Sequence, residues 1–231
     1  MKLMTKIGFA LSLLAFTIVA FLFMTIFPPL GGHYKIHAES MTPTLNVGDH
    51  FQVNKHAYAF SKNKVPERGK VIVFKNPSSG ILMVKRTIGL SGDKIEIKQG
   101  RLYLNDQLVN RDALGSRTYF SARQQKVQVT LYKEQLTDNT APYEIYERSD
   151  NGRSDNTGVF FVPEGHIFVM GDNRDNSIDS RHKQLAYVPI ENIKGEVNRI
   201  MFSFKTCVAQ DGIYCREKRF FSKIEKTRLN P

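Results

Sequence analysis

VIVFKNPSSGILMVKRTIGLSGDKIEIKQGRLYLNDQLV, residues 71–109, alternates short apolar runs with turn clusters. Val71-Ile72-Val73-Phe74 is closed by Asn76-Pro77-Ser78-Ser79-Gly80, a dense group of turn formers. Ile81 to Leu90 is a second run, and Lys94-Ile95-Glu96-Ile97-Lys98 alternates at period two, the mark of a half-buried strand. Gln99-Gly100 turns into Arg101-Leu102-Tyr103-Leu104, and Asn105-Asp106 turns into Gln107-Leu108-Val109. Strands joined by such short turns form a meander, so the pattern predicts antiparallel sheet.

Working outward, residues 110–158 are polar, with a loop-like stretch at 147–158. Val127 to Leu131 reads as a strand and Lys133 to Leu136 as a helical turn. Strand signals resume at Val159–Val162 and His166–Met170. The expected layout is a main antiparallel β domain from 31–97 and 166–216, a smaller β subdomain inserted at 98–165, and a basic tail at 217–231. In that tail Phe220, Phe221 and Ile224 suit either a short amphipathic helix on a membrane surface or a polar tail with three packed apolar residues. The chain has 231 residues, 41% hydrophobic and 24% charged, which excludes a mostly disordered, collagen-like or polytopic membrane protein. Sixteen Phe and nine Tyr with no Trp agree with a β-rich interior.

Ile7 to Phe27 carries no charge and ends at Pro28-Pro29. A helix of that length spans roughly 31 Å, about the thickness of a bilayer's hydrocarbon core. A cleavable signal peptide would have a shorter apolar core and a small-x-small site after it, so an uncleaved anchor is the better reading, with residues 1–30 as cytoplasmic start and transmembrane helix. Lys2 and Lys6 flank its N-terminal side, which keeps the N-terminus in the cytoplasm and exports the rest. The expected site is the inner (plasma) membrane, single-pass, with the β domain periplasmic or extracellular. Cys207 and Cys215 bracket Asp211-Gly212, a hairpin signal, and an oxidising compartment would let them pair; two free thiols are the alternative.

Chemistry concentrates in three segments: Glu39-Ser40-Met41-Thr42-Pro43-Thr44-Leu45, Val84-Lys85-Arg86-Thr87, and Gly171 to Arg181 (GDNRDNSIDSR). The third has the acids of a metal loop but not its pattern. Counted from Asp172, the third, sixth and twelfth positions are Arg174, Ser177 and Lys183, where a calcium loop needs an oxygen ligand, Gly and Glu. It reads instead as a hydrogen-bonded network bracing something nearby. Lys85 follows Ile81-Leu82-Met83-Val84. An alternating strand would expose such a lysine. A desolvated one loses its proton more readily, and reaching ~8 from about 10.4 takes roughly 3 kcal/mol. Such a lysine can deprotonate a serine, itself a weak nucleophile without a base.

Together these segments resemble the bacterial type I signal peptidases, in ordered motifs over residues 37–195 behind an N-terminal anchor. The resemblance implies Ser40 as nucleophile, Lys85 as general base, and Arg86, Asp172, Ser177, Asp179 and Arg181 as supports. Ser177 would hydrogen-bond and orient the lysine, and Asp179 and Arg181 would form an ion pair. It further implies cleavage of exported, signal-peptide-bearing preproteins after a small residue, without metal or organic cofactor. Two positions depart from the pattern. Ala38 stands where familiar members carry a hydroxyl that serves the oxyanion hole, and Ser91 stands where Pro is usual before Gly92-Asp93.

Two rivals are a Ser–Lys self-cleaving repressor peptidase and a non-catalytic membrane-anchored binding module. Residues 7–27 argue against the first. The second would need neither Lys85 in an apolar run nor the 171–181 loop. The net charge of +11 suits an acidic phospholipid surface; with basic residues spread out and facing outward, no nucleic-acid partner is expected, and the chain is expected to act as a monomer.

Overall fold

The computed structural model describes residues 12–21, 31–58, 65–203, 213 and 219–224. Residues 12–21 are helical, with Leu13, Leu14, Phe16, Ile18, Val19 and Phe21 exposed. Among the described residues no helix is long and apolar enough to cross a membrane. The rest of the 7–27 run, and both Cys207 and Cys215, lie outside the described residues.

From Gly31 onward the described chain is mostly β. Strands β1 (Gly31–Lys35), β2 (Asp49–Asn54), β3 (Val71–Lys75) and β4 (Leu82–Gly89) belong to one sheet with β12 (His166–Met170), β13 (Val188–Pro189), β14 (Ile193–Ser203) and β15 (Phe220–Lys223). Its order is β1-β2-β14-β3-β4-β12-β13, with β15 also on β14. All the pairings are antiparallel. A four-stranded sheet holds β5 (Lys94–Lys98), β6 (Arg101–Leu104), β7 (Gln107–Leu108) and β11 (Phe160–Phe161); a three-stranded one holds β8 (Asn110–Phe120), β9 (Lys126–Gln135) and β10 (Tyr143–Glu147).

The VIVF run explains the large sheet's depth. Val71 and Val73 join one apolar cluster with Phe51, Val53, Met41 and Leu45, while Ile72 and Phe74 join a second with Ile167, Val169 and Val188. A strand covered on both faces has no polar side to show, so its sequence is continuously apolar. β3 and β12 flank β4, which pins the lysine strand between two buried neighbours.

Two local expectations are corrected. Lys133 to Gln135 is not a helical turn but the end of β9, whose pairing with β8 and β10 overrides local preference. Phe220–Lys223 is not helical either. β3 pairs with Ile193–Glu196 of β14, and β15 takes the same edge further on, at Arg199–Phe202. Backbone donors left open where β3 ends are thereby satisfied. Phe220 and Phe221 remain exposed, and Ile224 packs on the core.

Candidate active site

Ser40 lies in the turn between β1 and β2. Leu45 N donates to Met41 O at 2.8 Å and Thr42 N to Glu39 O at 3.0 Å, closing the turn. Met41 and Leu45 are buried and anchor it to the core beneath. Lys85, four residues into β4, is only 3% exposed, and its Nζ donates to Ser40 Oγ at 2.7 Å and to Val84 O at 3.0 Å. Burial holds the Lys85 ammonium down to about 8, against the upward pull of Asp179 and Asp172; Arg181 adds to the lowering. The pair therefore joins a hydroxyl to an amine of which roughly a tenth is neutral at pH 7, far more than for an exposed lysine, and a neutral amine is what a serine needs to lose its proton.

The loop after β12 brings the remaining predicted residues together. Asp172 accepts from Arg86 Nε at 2.8 Å and Nη2 at 2.6 Å, and from Thr44 Oγ1 at 2.5 Å. Arg86 Nη1 donates to Gly69 O at 2.6 Å, and the guanidinium lies 4.0 Å over the Tyr143 ring. One carboxylate thus ties the serine turn, through Thr44, to the residue after the lysine. Asp179 accepts from Arg181 Nε and Nη2, both at 2.9 Å, and from Gly171 N at 3.0 Å. Burial alone would raise the Asp179 carboxyl, but Arg181 and these donors outweigh it and bring it down to about 2.

Ser177 is buried beside the pair but departs from its expected role: Lys85 donates to Ser40 and Val84, and the Ser177 hydroxyl has no aligned hydrogen-bond partner. It lies close enough to Asp179 to favour the ionised carboxylate. The neighbouring Gly171 has no room for a side chain. A Cβ there would sit 2.2 Å from Ser177 Oγ and 2.4 Å from Ser40 O, so the loop approaches the serine turn this closely only through glycine.

Several braces carry no sequence signal of their own. Glu134 of β9 takes a bidentate contact from buried Arg174 and a 2.5 Å hydrogen bond from Tyr143 of β10. Tyr146 N donates to Asp172 O at 2.8 Å, so the three-stranded sheet also holds the loop through its backbone. Thr44 stood within a quoted motif and was open to notice; Glu134 and Tyr143 are isolated polar residues in polar strands. Among the described residues the one compact acidic group is Glu147, Asp155 and Asp175, with carboxylate oxygens within 4.8 Å of one another. Arg111, Arg148 N and Gly152 N already donate to it. Burial pushes Glu147 up to about 8 and raises Asp155.

Residues 5–202 match the model of the family described as signal peptidase, peptidase S26. The chain belongs to this family. A signal peptidase I of Rickettsia typhi is 34% identical over 195 residues, covering 74% of this chain and 72% of its own. One from Pseudomonas aeruginosa is 37% identical over 190 residues, covering 74% and 64%. A crystal structure of a signal peptidase I from Enterococcus faecalis, 27% identical, covers 57% of this chain and 96% of its own with a TM-score of 0.35. Membership makes this chain a serine peptidase of signal-peptide removal.

Proposed function

We propose that Ser40 and Lys85 are the catalytic dyad of a membrane-anchored endopeptidase that removes signal peptides from exported preproteins. The observation that carries this reading is the 2.7 Å contact between Lys85 Nζ and Ser40 Oγ in a site where burial brings the lysine to about 8. Neutral Lys85 takes the Ser40 proton as Oγ attacks the scissile carbonyl. The lysine then protonates the leaving amine, and an acyl-serine remains. Lys85 next takes a proton from water, whose oxygen attacks the ester; the proton returns to Ser40 as the acid product leaves. The Ser40 backbone N–H is the donor available to the oxyanion within this segment.

The substrate would lie extended beside β4, with alternate side chains entering the site and small residues next to the scissile bond. Residues 7–27 would anchor the enzyme, with Lys2 and Lys6 inside and the β domain on the outer face. On this reading residues 31–97 and 166–216 form the catalytic domain, 98–165 is an insertion, and one copy holds a complete dyad. The test is incubation of the detergent-solubilised full chain with a labelled preprotein, followed by sequencing of the new N-terminus. Ser40→Ala and Lys85→Ala should each lower cleavage by ~100- to 10,000-fold while leaving the melting curve cooperative. Cleavage by Ser40→Ala within tenfold of the parent overturns the mechanism.

A further inference from the structure

Glu39, the residue before the serine, is held from two distant parts of the chain. Its Oε1 accepts from Ala122 N at 2.5 Å, and its Oε2 accepts from Asn176 Nδ2 at 3.1 Å. Ala122 sits at the tip of the β8–β9 hairpin, and Asn176 closes the short 3-10 turn Arg174–Asn176 inside the polar loop after β12. The same two parts meet again one step away. Asn173 Nδ2 donates both to Glu39 O at 3.2 Å and to Tyr119 Oη of β8 at 3.1 Å, and Asn173 N donates to Ser40 O at 3.1 Å.

The serine turn needs this support on one side only. Downstream of Ser40, Met41 and Leu45 are sunk in the core. Upstream, Ile36 belongs to the same cluster, but His37 and Ala38, which link it to Glu39, are exposed and contribute nothing to the core. A nucleophile joined to the core on that side through two exposed residues can shift in its turn, and a small misplacement of reacting atoms is costly to rate.

We propose that Glu39 is a positioning residue: it clamps the upstream arm of the serine turn between the β8–β9 hairpin tip and Asn176, fixing Ser40 Oγ against Lys85 Nζ. This rests on the reading of Ser40 as the nucleophile. The clamp acts through geometry, since the charged groups that set the lysine are Asp179, Asp172 and Arg181. It also gives the hairpin a task in the reaction, as a strut behind the serine turn.

The experiment measures kcat, KM and the pH–rate profile of full-length parent, Glu39→Ala, Glu39→Gln, Asn176→Ala and the double variant Glu39→Ala/Asn176→Ala on one preprotein, with thermal melts of each. Glu39→Ala should lower kcat by ~10- to 100-fold with KM and the acid limb of the profile unmoved. Glu39→Gln keeps an oxygen for Ala122 N–H and should recover to within about threefold of the parent. Asn176→Ala removes one arm and should cost less than Glu39→Ala, and the double variant should be no slower than Glu39→Ala. Parental kcat in Glu39→Ala overturns the inference. So does a shifted acid limb, a Glu39→Gln as slow as Glu39→Ala, or additive losses in the double variant. If Glu39→Ala fails to fold, the Asn176→Ala and Glu39→Gln rates decide by the same criteria. A parent that does not cleave, or a Ser40→Ala that does, overturns the dyad and the clamp together; a cleaving parent beside an equally fast Glu39→Ala overturns the clamp alone.

Discussion

Lys85 and Arg86 are successive residues of β4, one on each face of the strand. They are 3% and 4% exposed, yet their electrostatic fates are opposite. Arg86 is surrounded by acceptors: the Asp172 carboxylate, Gly69 O, Thr44 Oγ1 and the Tyr143 ring. Burial would lower its pKa, but Asp172 outweighs burial and the charge is held more firmly than in water. Lys85 has a hydroxyl and a carbonyl as acceptors and no carboxylate bonded to it, so burial wins and the proton is loosened. Burial does not decide what becomes of a cation; the acceptors within hydrogen-bond reach do. One strand thereby carries a fixed structural charge and a transferable proton side by side.

The paired side should break hardest. Asp172→Ala leaves the Arg86 charge buried without its counterion, which typically costs about 3–5 kcal/mol. Denaturant unfolding of the purified domain should show that loss, with activity falling as the Thr44 link to the serine turn goes. A loss below ~1 kcal/mol would mean that Gly69 O and Tyr143 suffice for Arg86, and the contrast between the faces would be weaker than drawn.

The unpaired side should respond in the opposite sense. Replacing Lys85 by a neutral chain of similar length, Lys85→Met, removes a buried cation held at about 8 against 10.5 when exposed, and should stabilise the inactive protein by up to roughly 3 kcal/mol at pH 7. Between about 8 and 10.5 the unfolded parent binds the extra proton, so parental stability gains on the variant as pH rises. The difference should be full below about 8 and gone above 10.5. An equal or lower stability for Lys85→Met at pH 7 would show that the lysine is not under strain.

On the proposed mechanism the same loosened proton sets the rate. Activity needs neutral Lys85, so kcat/KM should rise about tenfold per pH unit up to about 8 and then level, a gain on the order of 100-fold from pH 6. A rate that falls between pH 6 and pH 9 would point to a group active when protonated.

The proposed dyad is legible in the sequence because its residues and their surroundings fall in short, dense motifs: a serine in a turn segment, a lysine inside an apolar run, a polar loop with five ionisable residues. The central strands were open for a related reason, since VIVF and KIEIK carry their burial in their spacing. β8 was not. Only one of its 11 residues is buried, so no apolar period marks it, and its pairing with β9 supplies the structure that local pattern omits. The Glu134–Arg174 and Glu39–Ala122 contacts join residues 40 and 83 positions apart, and no single segment announces them. Ser177 shows the converse: a motif named the residue, and its hydroxyl lies close to Asp179 without a hydrogen bond to Lys85. β15 was hidden because Phe220, Phe221 and Ile224 lie near one helical face, yet a vacant sheet edge draws Phe220–Lys223 into a four-residue strand.

The smallest expected effect concerns Ala38, two residues before Ser40. Attack on a carbonyl puts negative charge on its oxygen, and an oxyanion donor typically contributes about 2.7–4 kcal/mol. Ala38 offers a methyl where a hydroxyl would donate, and it is exposed rather than packed, so a serine fits there without displacing the core. The Ser40 backbone N–H remains, and water or a substrate-side group supplies part of the second bond in an open site. The gain from Ala38→Ser should therefore be a fraction of a full donor: kcat up by ~10-fold or less, with KM nearly unchanged, because the new bond strengthens as charge develops. The acid limb near about 8 should stay in place, since Ala38→Ser adds no charge beside Lys85. Single-turnover cleavage of one preprotein by both proteins measures this. A rate equal to or below the parent's would mean that the oxyanion site is already complete or that residue 38 faces away from it, and catalytic power would then rest on the lysine side of the strand alone.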